Sequence, residues 1–382
     1  MKNLSILIGI FCLASCSQVK EHSTDPLSYV SDTTVISIDR KTENYVRAVQ
    51  HFDGKLYWWN SNRSTISVID LESQQVEKTI KLAEEGPDGL GIALGIFVIN
   101  SDSLIIPNMS YELNLINSQG SKLAKFDYSE FSKIGVVIPS MTRYSSMIQT
   151  NKKGRLFFGM EDLKNLPLED IDEKALTEYP PILTLDLDKG TFEFLEFKVP
   201  NSILKYNNFI NFGIAANSTG ILLLHNHSNM LLEVDFSGKS YKEHELKSDL
   251  ITNFSNAYFL SPRMSSSIEK NMKLAFKYSD NFGLEFDPHK NLLYRFGWPG
   301  EEIPEGVNVD QFNSTPPFYT LSVYDGSDFS LIKEFTLPRN TYLAHHYFVD
   351  EKGLNLFPMH PDNPEFNEDE LVIHTFDFSG LK

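Results

Sequence analysis

Residues 217–246 read NSTGILLLHNHSNMLLEVDFSGKSYKEHEL, and this stretch decides the fold. Asn217-Ser218-Thr219-Gly220 is a tight turn of small and polar residues. It follows the short apolar segment NFGIAA at 211–216 and leads at once into a β-rich run. That is the pattern of a hairpin. A second hairpin comes directly after it: an alternating strand ends at Asp235, turns through Phe236–Ser240 and leaves as another strand. Two hairpins in series make four antiparallel strands, the plan of one propeller blade.

The first hairpin recurs six times: FDGKLYWW from Phe52, NSDSLIIP from Asn100, NKKGRLFF from Asn151, NSTGILLL from Asn217, DPHKNLLY from Asp287 and DEKGLNLF from Asp350. With Gly54, Ser103, Gly154, Gly220, Lys290 and Gly353 as markers, the spacings are 49, 51, 66, 70 and 63 residues. The second hairpin recurs in step, its strands ending at Asp70, Asn117, Asp186, Asp235, Asp325 and Asp377. Asp and Asn suit these places because they tolerate positive φ and accept hydrogen bonds from their own turn. Six units give an all-β, six-bladed β-propeller. A β-sandwich also alternates strands and turns, but it rarely repeats a two-hairpin unit six times.

The sixth unit has only three strands, since LVIHTFDFSG is followed by two residues, whereas TTVISID at Thr33–Asp39 stands unpaired before the first blade. Pairing this N-terminal strand antiparallel with the strand around Leu371–Phe376 closes the ring and removes two open edges. Val35 and one or both isoleucines, Ile36 and Ile38, are then expected to be buried. Insertions fall at about 160–180, 255–285 and 297–318, and loops of that length in a compact domain are commonly functional.

The N-terminus reads as an export signal. Lys2 precedes an apolar run from Leu4 to Leu13, which is the length of a signal core and too short to span a membrane. Leu13-Ala14-Ser15-Cys16 resembles the lipobox of bacterial lipoproteins, with Cys16 as the lipidated residue. The expected organisation is a signal peptide at 1–15, a lipidated polar tether at 16–31 and the propeller at 32–382. Cys12 and Cys16 are the two cysteines, so the mature domain holds no disulfide. Several acyl chains on Cys16 would anchor the protein to the cell envelope, most naturally the outer membrane, with its periplasmic or surface face left open. A net charge of −17 with no Lys/Arg-rich run argues against nucleic-acid binding.

The signal, the six uneven blades and the EEGPDGLG turn at Glu84–Gly91 together give a resemblance. The chain resembles a family of six-bladed propeller lipoproteins of Bacteroidota, of unknown function, with a Glu-Gly-Pro-x-Gly turn between the first two blades. The resemblance implies fold and envelope location, and carries no catalytic residues.

Motifs for catalysis, a cofactor or a metal are lacking: there is no Gly-x-Ser-x-Gly, His-Glu-x-x-His, phosphate-binding glycine loop or Cys-x-x-Cys. His225 and His227, two apart, could share one face of a strand, but zinc would need a third ligand. His345 and His346 are adjacent and point apart. Trp58 and Trp59 suit core packing, with at least one in a sheet-to-sheet layer. Trp298, in a Gly/Pro-rich stretch, is expected to be the more exposed. The acidic NPEFNEDE at 363–370 reads as a solvated loop. Ligands of propellers sit at the channel mouth, where Arg47, Arg143, Tyr144, Asn211, Tyr278 and His345 are the expected lining residues. The two arginines could hold a carboxylate or phosphate. The leading expectation is a non-enzymatic envelope propeller that binds a ligand or protein partner at this face. The alternatives are a propeller enzyme (hydrolase, lyase or lactonase) with a channel site assembled from several blades, and a structural subunit of an envelope assembly.

Overall fold

The computed structural model describes residues 25–381 except 45, 47, 132–135, 138–146, 150–153, 162–180, 205–211, 255–267, 310–311, 313–314 and 344–345. The strands form six antiparallel sheets, arranged as a six-bladed propeller. Its last blade is completed by the N-terminal strand β1 (Val30–Ser37). Blade 1 is β2 (Val49–Phe52), β3 (Lys55–Asn60), β4 (Thr65–Asp70) and β5 (Gln75–Lys81). Blade 2 is β6 (Phe97–Asn100), β7 (Ser103–Pro107), β8 (Glu112–Asn117) and β9 (Lys122–Asp127). In blade 3, β10 (Val136–Val137) and β11 (Met147–Gln149) both pair with β12 (Arg155–Glu161), which continues to β13 (Ile182–Asp186) and β14 (Thr191–Phe194). Blade 4 is β15 (Phe212–Ala216), β16 (Gly220–His225), β17 (Met230–Asp235) and β18 (Tyr241–Glu245). Blade 5 is β19 (Asp280–Asp287), β20 (Leu292–Trp298), β21 (Thr320–Asp325) and β22 (Leu331–Thr336). Blade 6 is β23 (Tyr347–Val349), β24 (Leu354–Leu356) and β25 (Glu370–Phe376), with β1 outermost.

The turn chemistry works as the sequence implies. In the first five blades the third strand ends at the expected residue: Asp70, Asn117, Asp186, Asp235 and Asp325. Each side chain then accepts from the backbone of its own turn: Asp70 from Ser73 N–H at 2.7 Å, Asn117 from Ser121 N–H at 2.9 Å, Asp186 from Lys189 N–H at 3.1 Å, Asp235 from Ser237 N–H at 2.7 Å and Asp325 from Ser327 N–H at 2.8 Å. These bonds replace solvent for donors that a two-strand ladder leaves over. The Ser237 and Ser240 hydroxyls also donate to Asp235, and with the N–H groups of the turn they hold its carboxyl pKa far below the usual range. In the blade 5 turn the left-handed residue is Asn291 (φ 52°), one position after the Lys290 marker.

Among the described residues the core divides into six apolar clusters, one for each blade–blade interface. Adjacent residues of a strand point to opposite sheet faces, and here both faces are buried. That is why the second strand of blade 4, GILLLH, carries an unbroken apolar run, Ile221–Leu224, with every residue of the strand buried. The same parity splits Trp58 and Trp59: Trp58 packs in the interface of blades 6 and 1, Trp59 in that of blades 1 and 2. Both tryptophans, rather than one, are therefore core residues.

Ring closure follows the expected pairing. β1 runs antiparallel to β25 from Val30↔Phe376 to Ser37↔Glu370, and Ile36 and Ile38 are buried between blades 6 and 1. Val35 is 44% exposed, which corrects the expectation that it is buried. It lies on the outermost strand of blade 6, on the face opposite Ile36, where the neighbouring blade no longer covers the sheet. Contact with the propeller also begins before residue 32: Pro26 is buried, and the Tyr29 ring packs on Phe335 and Phe378 at centroid distances of 5.3 and 5.2 Å.

Trp298 is a second correction. It ends β20, is 1% exposed, and its indole N–H donates to the Phe276 carbonyl at 2.6 Å. The Pro299-Gly300 pair that follows ends the strand without exposing the ring. Likewise the insertion expected to run to 285 ends earlier, because a helix at Ile268–Phe276 and then β19 occupy its second half.

Candidate functional site

In a four-stranded antiparallel blade the first-to-second and third-to-fourth turns emerge at one end of the ring. The second-to-third turns and the connections between blades emerge at the other, which is the mouth. Asp70, Asn117, Asp186, Asp235 and Asp325 thus mark the end opposite the mouth. Of the residues expected to line the mouth, Arg47, Arg143, Tyr144, Asn211 and His345 lie outside the described residues, as does Cys16. Tyr278 is half-buried between the helix and β19, with its backbone N–H on the Ala275 carbonyl at 3.1 Å.

The histidine pair does not form a chelate. His225 closes β16, fully buried, with Nδ1 2.9 Å from the Ser228 hydroxyl. His227 lies beyond the strand, its ring 6.1 Å from that of His225 and at 81° to it, with Nδ1 3.6 Å from Asp280 Oδ1. Burial pushes the His227 pKa down to about 4. Among the described residues no three His, Cys, Asp or Glu side chains cluster in a way that could hold a metal ion. Beside this pair, Arg295 is fully buried and donates to Asn281 Oδ1 and Asn229 Oδ1, each at 2.7 Å, and to the Tyr324 hydroxyl at 3.3 Å. Asn281 in turn donates to the His225 and Ser228 carbonyls at 2.8 Å each. This network fastens blade 5 to blade 4.

Nearer the channel, Glu285 on β19 has its pKa pushed up to about 7, first by burial and then by the Asp287 carboxylate. Asp287 itself is a turn residue, accepting from the His289 and Lys290 N–H groups at 2.8 and 2.9 Å. The neighbouring Tyr347 packs closely on the same strand: a Cβ at Gly283 would come within 2.4 Å of its hydroxyl oxygen.

A concavity lined by described residues lies elsewhere on the mouth end, between blades 1 and 2. A pocket of about 90 Å³ is lined by Trp59, Ser61, Ser64, Leu82, Ala83, Glu84, Leu90, Gly91, Ile92 and Ala93. One wall is the Glu84–Gly91 turn, and its sequence has structural reasons. Gly86 and Gly91 take φ of 88° and 66°, which glycine accepts without strain. At Gly89 a Cβ would sit 2.8 Å from the Glu85 carbonyl carbon. Asp88 accepts from Lys122 N–H at 2.9 Å, Lys122 Nζ donates to the Gly89 carbonyl at 2.5 Å, and Asn108 Nδ2 donates to the Leu90 carbonyl at 2.9 Å. The turn is thereby pinned to blade 2.

Two features of this pocket escaped sequence reasoning. The Trp59 indole nitrogen is buried and has no hydrogen-bond partner among the described residues. By contrast, the indoles of Trp58 and Trp298 donate to the carbonyls of Glu43 and Phe276, each at 2.6 Å. Next to the pocket, Ile92 and Met109 are 70% and 59% exposed and are joined by a Met109 N–H to Ile92 carbonyl bond of 3.1 Å.

Comparison with known proteins agrees with this architecture. A Bacteroides vulgatus member of the DUF4221 family, known from its crystal structure, superposes with a TM-score of 0.74 at 19% identity, over 91% of this chain and 97% of that one. A candidate exported protein of Bacteroides fragilis superposes with a TM-score of 0.54 at 12% identity, over 92% and 96% of the two chains. No curated protein matches the chain. The model of the domain of unknown function DUF4221 matches residues 18–336, and the chain therefore belongs to that family.

Proposed function

We propose that this protein is an exported, lipid-anchored component of the cell envelope whose propeller binds a partner at its mouth, without catalysis. One observation carries the binding reading: the pocket between blades 1 and 2 is flanked by the exposed apolar pair Ile92 and Met109. Exposed apolar side chains beside a concavity are typical of a recognition surface. Export draws support from the Leu13–Cys16 motif and from the candidate exported protein with the same fold. No helix among the described residues is long and apolar enough to cross a membrane, so an N-terminal lipid is the natural means of attachment.

Anchoring is tested by Cys16→Ser in the producing cell. The variant should leave the membrane fraction and lose acyl-chain labelling, and retention of both would overturn the anchor. Binding is tested by placing a photo-crosslinking amino acid in the full chain at position 92, 109 or 241. Positions 92 and 109 should give one shared adduct that Ile92→Glu abolishes in the 109 variant. Tyr241, exposed on the outer strand of blade 4, should give none. Equal crosslinking at all three, or none at 92 and 109, would remove the mouth as a binding face.

The enzyme reading has one observation in its favour, the Glu285 carboxyl held near neutrality beside the channel. The packing of Tyr347 against the adjoining Gly283 leaves little space on that strand for a substrate. The apolar-flanked pocket supports binding more directly.

A further inference from the structure

We propose that the outer flank of blade 6, formed by β1 and the single helical turn Pro26–Tyr29 before it, is the face this protein turns to the lipid surface. The proposal rests on the reading of Cys16 as the anchored residue and adds which way the anchored propeller stands.

Chain length sets the reach. Asp25 follows Cys16 by nine positions, and nine residues span at most about 32 Å whatever path they take. From Asp25 onward the chain is held to the propeller. Leu27 N–H donates to the Asp25 carboxylate at 2.9 Å, Pro26 is buried, and Asp377 N–H donates to the Tyr29 carbonyl at 2.9 Å. The Tyr29 ring sits on Phe335 of blade 5 and on Phe378 just after β25. The chain therefore joins the ring at its perimeter, where blades 5 and 6 adjoin. A domain of this length is roughly 50 Å across. Blade 3, on the far side of the ring, could touch the membrane only by lifting Asp25 beyond the reach of its anchor.

Composition selects the flank within that reach. The outer strand of a blade leaves one edge of backbone N–H and C=O groups unpaired, a liability that charged side chains commonly blunt. The outer strands of blades 1 to 5, β5, β9, β14, β18 and β22, average at least one charged residue in four. In β1, VSDTTVIS, Asp32 is the one charge in eight residues, and Lys352 Nζ pairs with it at 3.2 Å. Ser31, Thr33 and Ser37 are exposed and uncharged, Val35 is exposed and apolar, and Leu27 is 41% exposed. Both ends of the ring are acidic by comparison. Asp70, Asp186 and Asp235 stand at one, and Glu84, Glu301 and Glu302 at the mouth. In a chain of net charge −17, β1 is the strip that approaches an anionic headgroup layer with least repulsion and least loss of hydration. A lipid surface over the strand also keeps its open edge from pairing with another chain. Held in this way, the mouth opens along the membrane plane, and the pocket between blades 1 and 2 stays clear of lipid.

The test uses the full acylated chain in vesicles of phosphatidylethanolamine and phosphatidylglycerol that carry some headgroup-nitroxide lipid. With Cys16 acylated, an introduced cysteine is the one free thiol of the mature chain. Thr33→Cys, Val35→Cys and Glu193→Cys, the last exposed on the outer strand of blade 3, are each labelled with a fluorophore, and folding is checked by circular dichroism. The labels at 33 and 35 should lose most of their emission to the nitroxide, and the label at 193 should lose almost none. Equal or greater quenching at 193 overturns the proposal. So does disulfide linkage of two unlabelled Val35→Cys chains in the membrane, since a second copy would then cover the edge. A chain that floats with the vesicles without quenching at 33 or 35 loses the flank and keeps the anchor. A Cys16→Ser chain that still floats loses the anchor itself.

Discussion

A chain lacking residues 17–38 will melt far below one lacking residues 17–24, and it will aggregate. The strand β1 supplies the outer edge of blade 6, in register with β25 from Val30↔Phe376 to Ser37↔Glu370, and Ile38 N–H adds a bond to the Asp369 carbonyl at 2.9 Å. Ile36 and Ile38 are buried in the interface of blades 6 and 1. Burial of two such side chains contributes roughly 3–6 kcal/mol at about 1.5–3 each, and the ladder bonds add about 1 kcal/mol apiece. Tyr29 and Pro26 add contacts with blades 5 and 6. The total is comparable with the 5–15 kcal/mol typical of a whole domain. Its loss would also bare the β25 edge, a template for association with another chain. Calorimetry with light scattering would measure both effects. Val35→Lys is the control: Val35 faces outward, so the change should alter stability by less than about 0.5 kcal/mol. Equal melting of the two truncated chains would mean that β1 does not hold the ring closed. A chain lacking residues 17–31 should fall between them, since that deletion removes Tyr29 and Pro26 and leaves the isoleucines.

The second large effect is a pH dependence with two opposed parts. His346 is buried, donates from Nε2 to the Val46 carbonyl at 2.6 Å, and has its pKa pushed down to about 4 by burial, with that carbonyl acting in the opposite sense. His227 is pushed to about 4 by burial as well. A base with a depressed folded pKa contributes stability that is present above its unfolded pKa of about 6.5 and lost as pH falls towards 4, because the unfolded chain takes up the proton first. A shift of about 2.5 units is worth roughly 3 kcal/mol for each histidine. Glu285 has the opposite sign. Its folded pKa of about 7 exceeds the usual 4.5, so its contribution is greatest below 4.5 and is lost as pH rises to 7. From pH 7 to 4 the native chain should lose roughly 6 kcal/mol through the histidines and regain about 3 through Glu285.

Denaturant titrations across that range separate the parts. Glu285→Gln should be more stable than the native chain at pH 8 and lose about twice as much on acidification. His346→Asn should be nearly flat with pH, whatever its midpoint. A Glu285→Gln variant whose pH slope matches the native chain's would show that this carboxyl ionises normally. A native slope in His346→Asn would show the same for that imidazole.

The blade repeat was available from sequence because it is written in short-range chemistry. A strand that ends at Asp70, Asp235 or Asp325 does so because that carboxylate bonds backbone N–H groups within five residues of itself. No distant residue needs to be known. Ring closure was equally available: a blade with three strands and a spare β-forming run have one economical pairing.

What a given side chain meets was decided only by the tertiary structure. Strand parity says that Trp58 and Trp59 point apart, but not that both faces are buried, and bulges at Val68/Ile69, Leu115/Ile116 and Val323/Tyr324 shift register within the third strands. Val35 and Trp298 were misjudged for this reason, since exposure depends on which blade arrives against which face. The same holds for the pocket. The Glu84–Gly91 turn is visible as a motif, yet its use as a wall beside Trp59 depends on Asp88, Gly89 and Asn108 pinning it to blade 2. An unpartnered indole cannot be read from a sequence at all, because lacking a partner is a property of everything around the atom rather than of the residue that carries it.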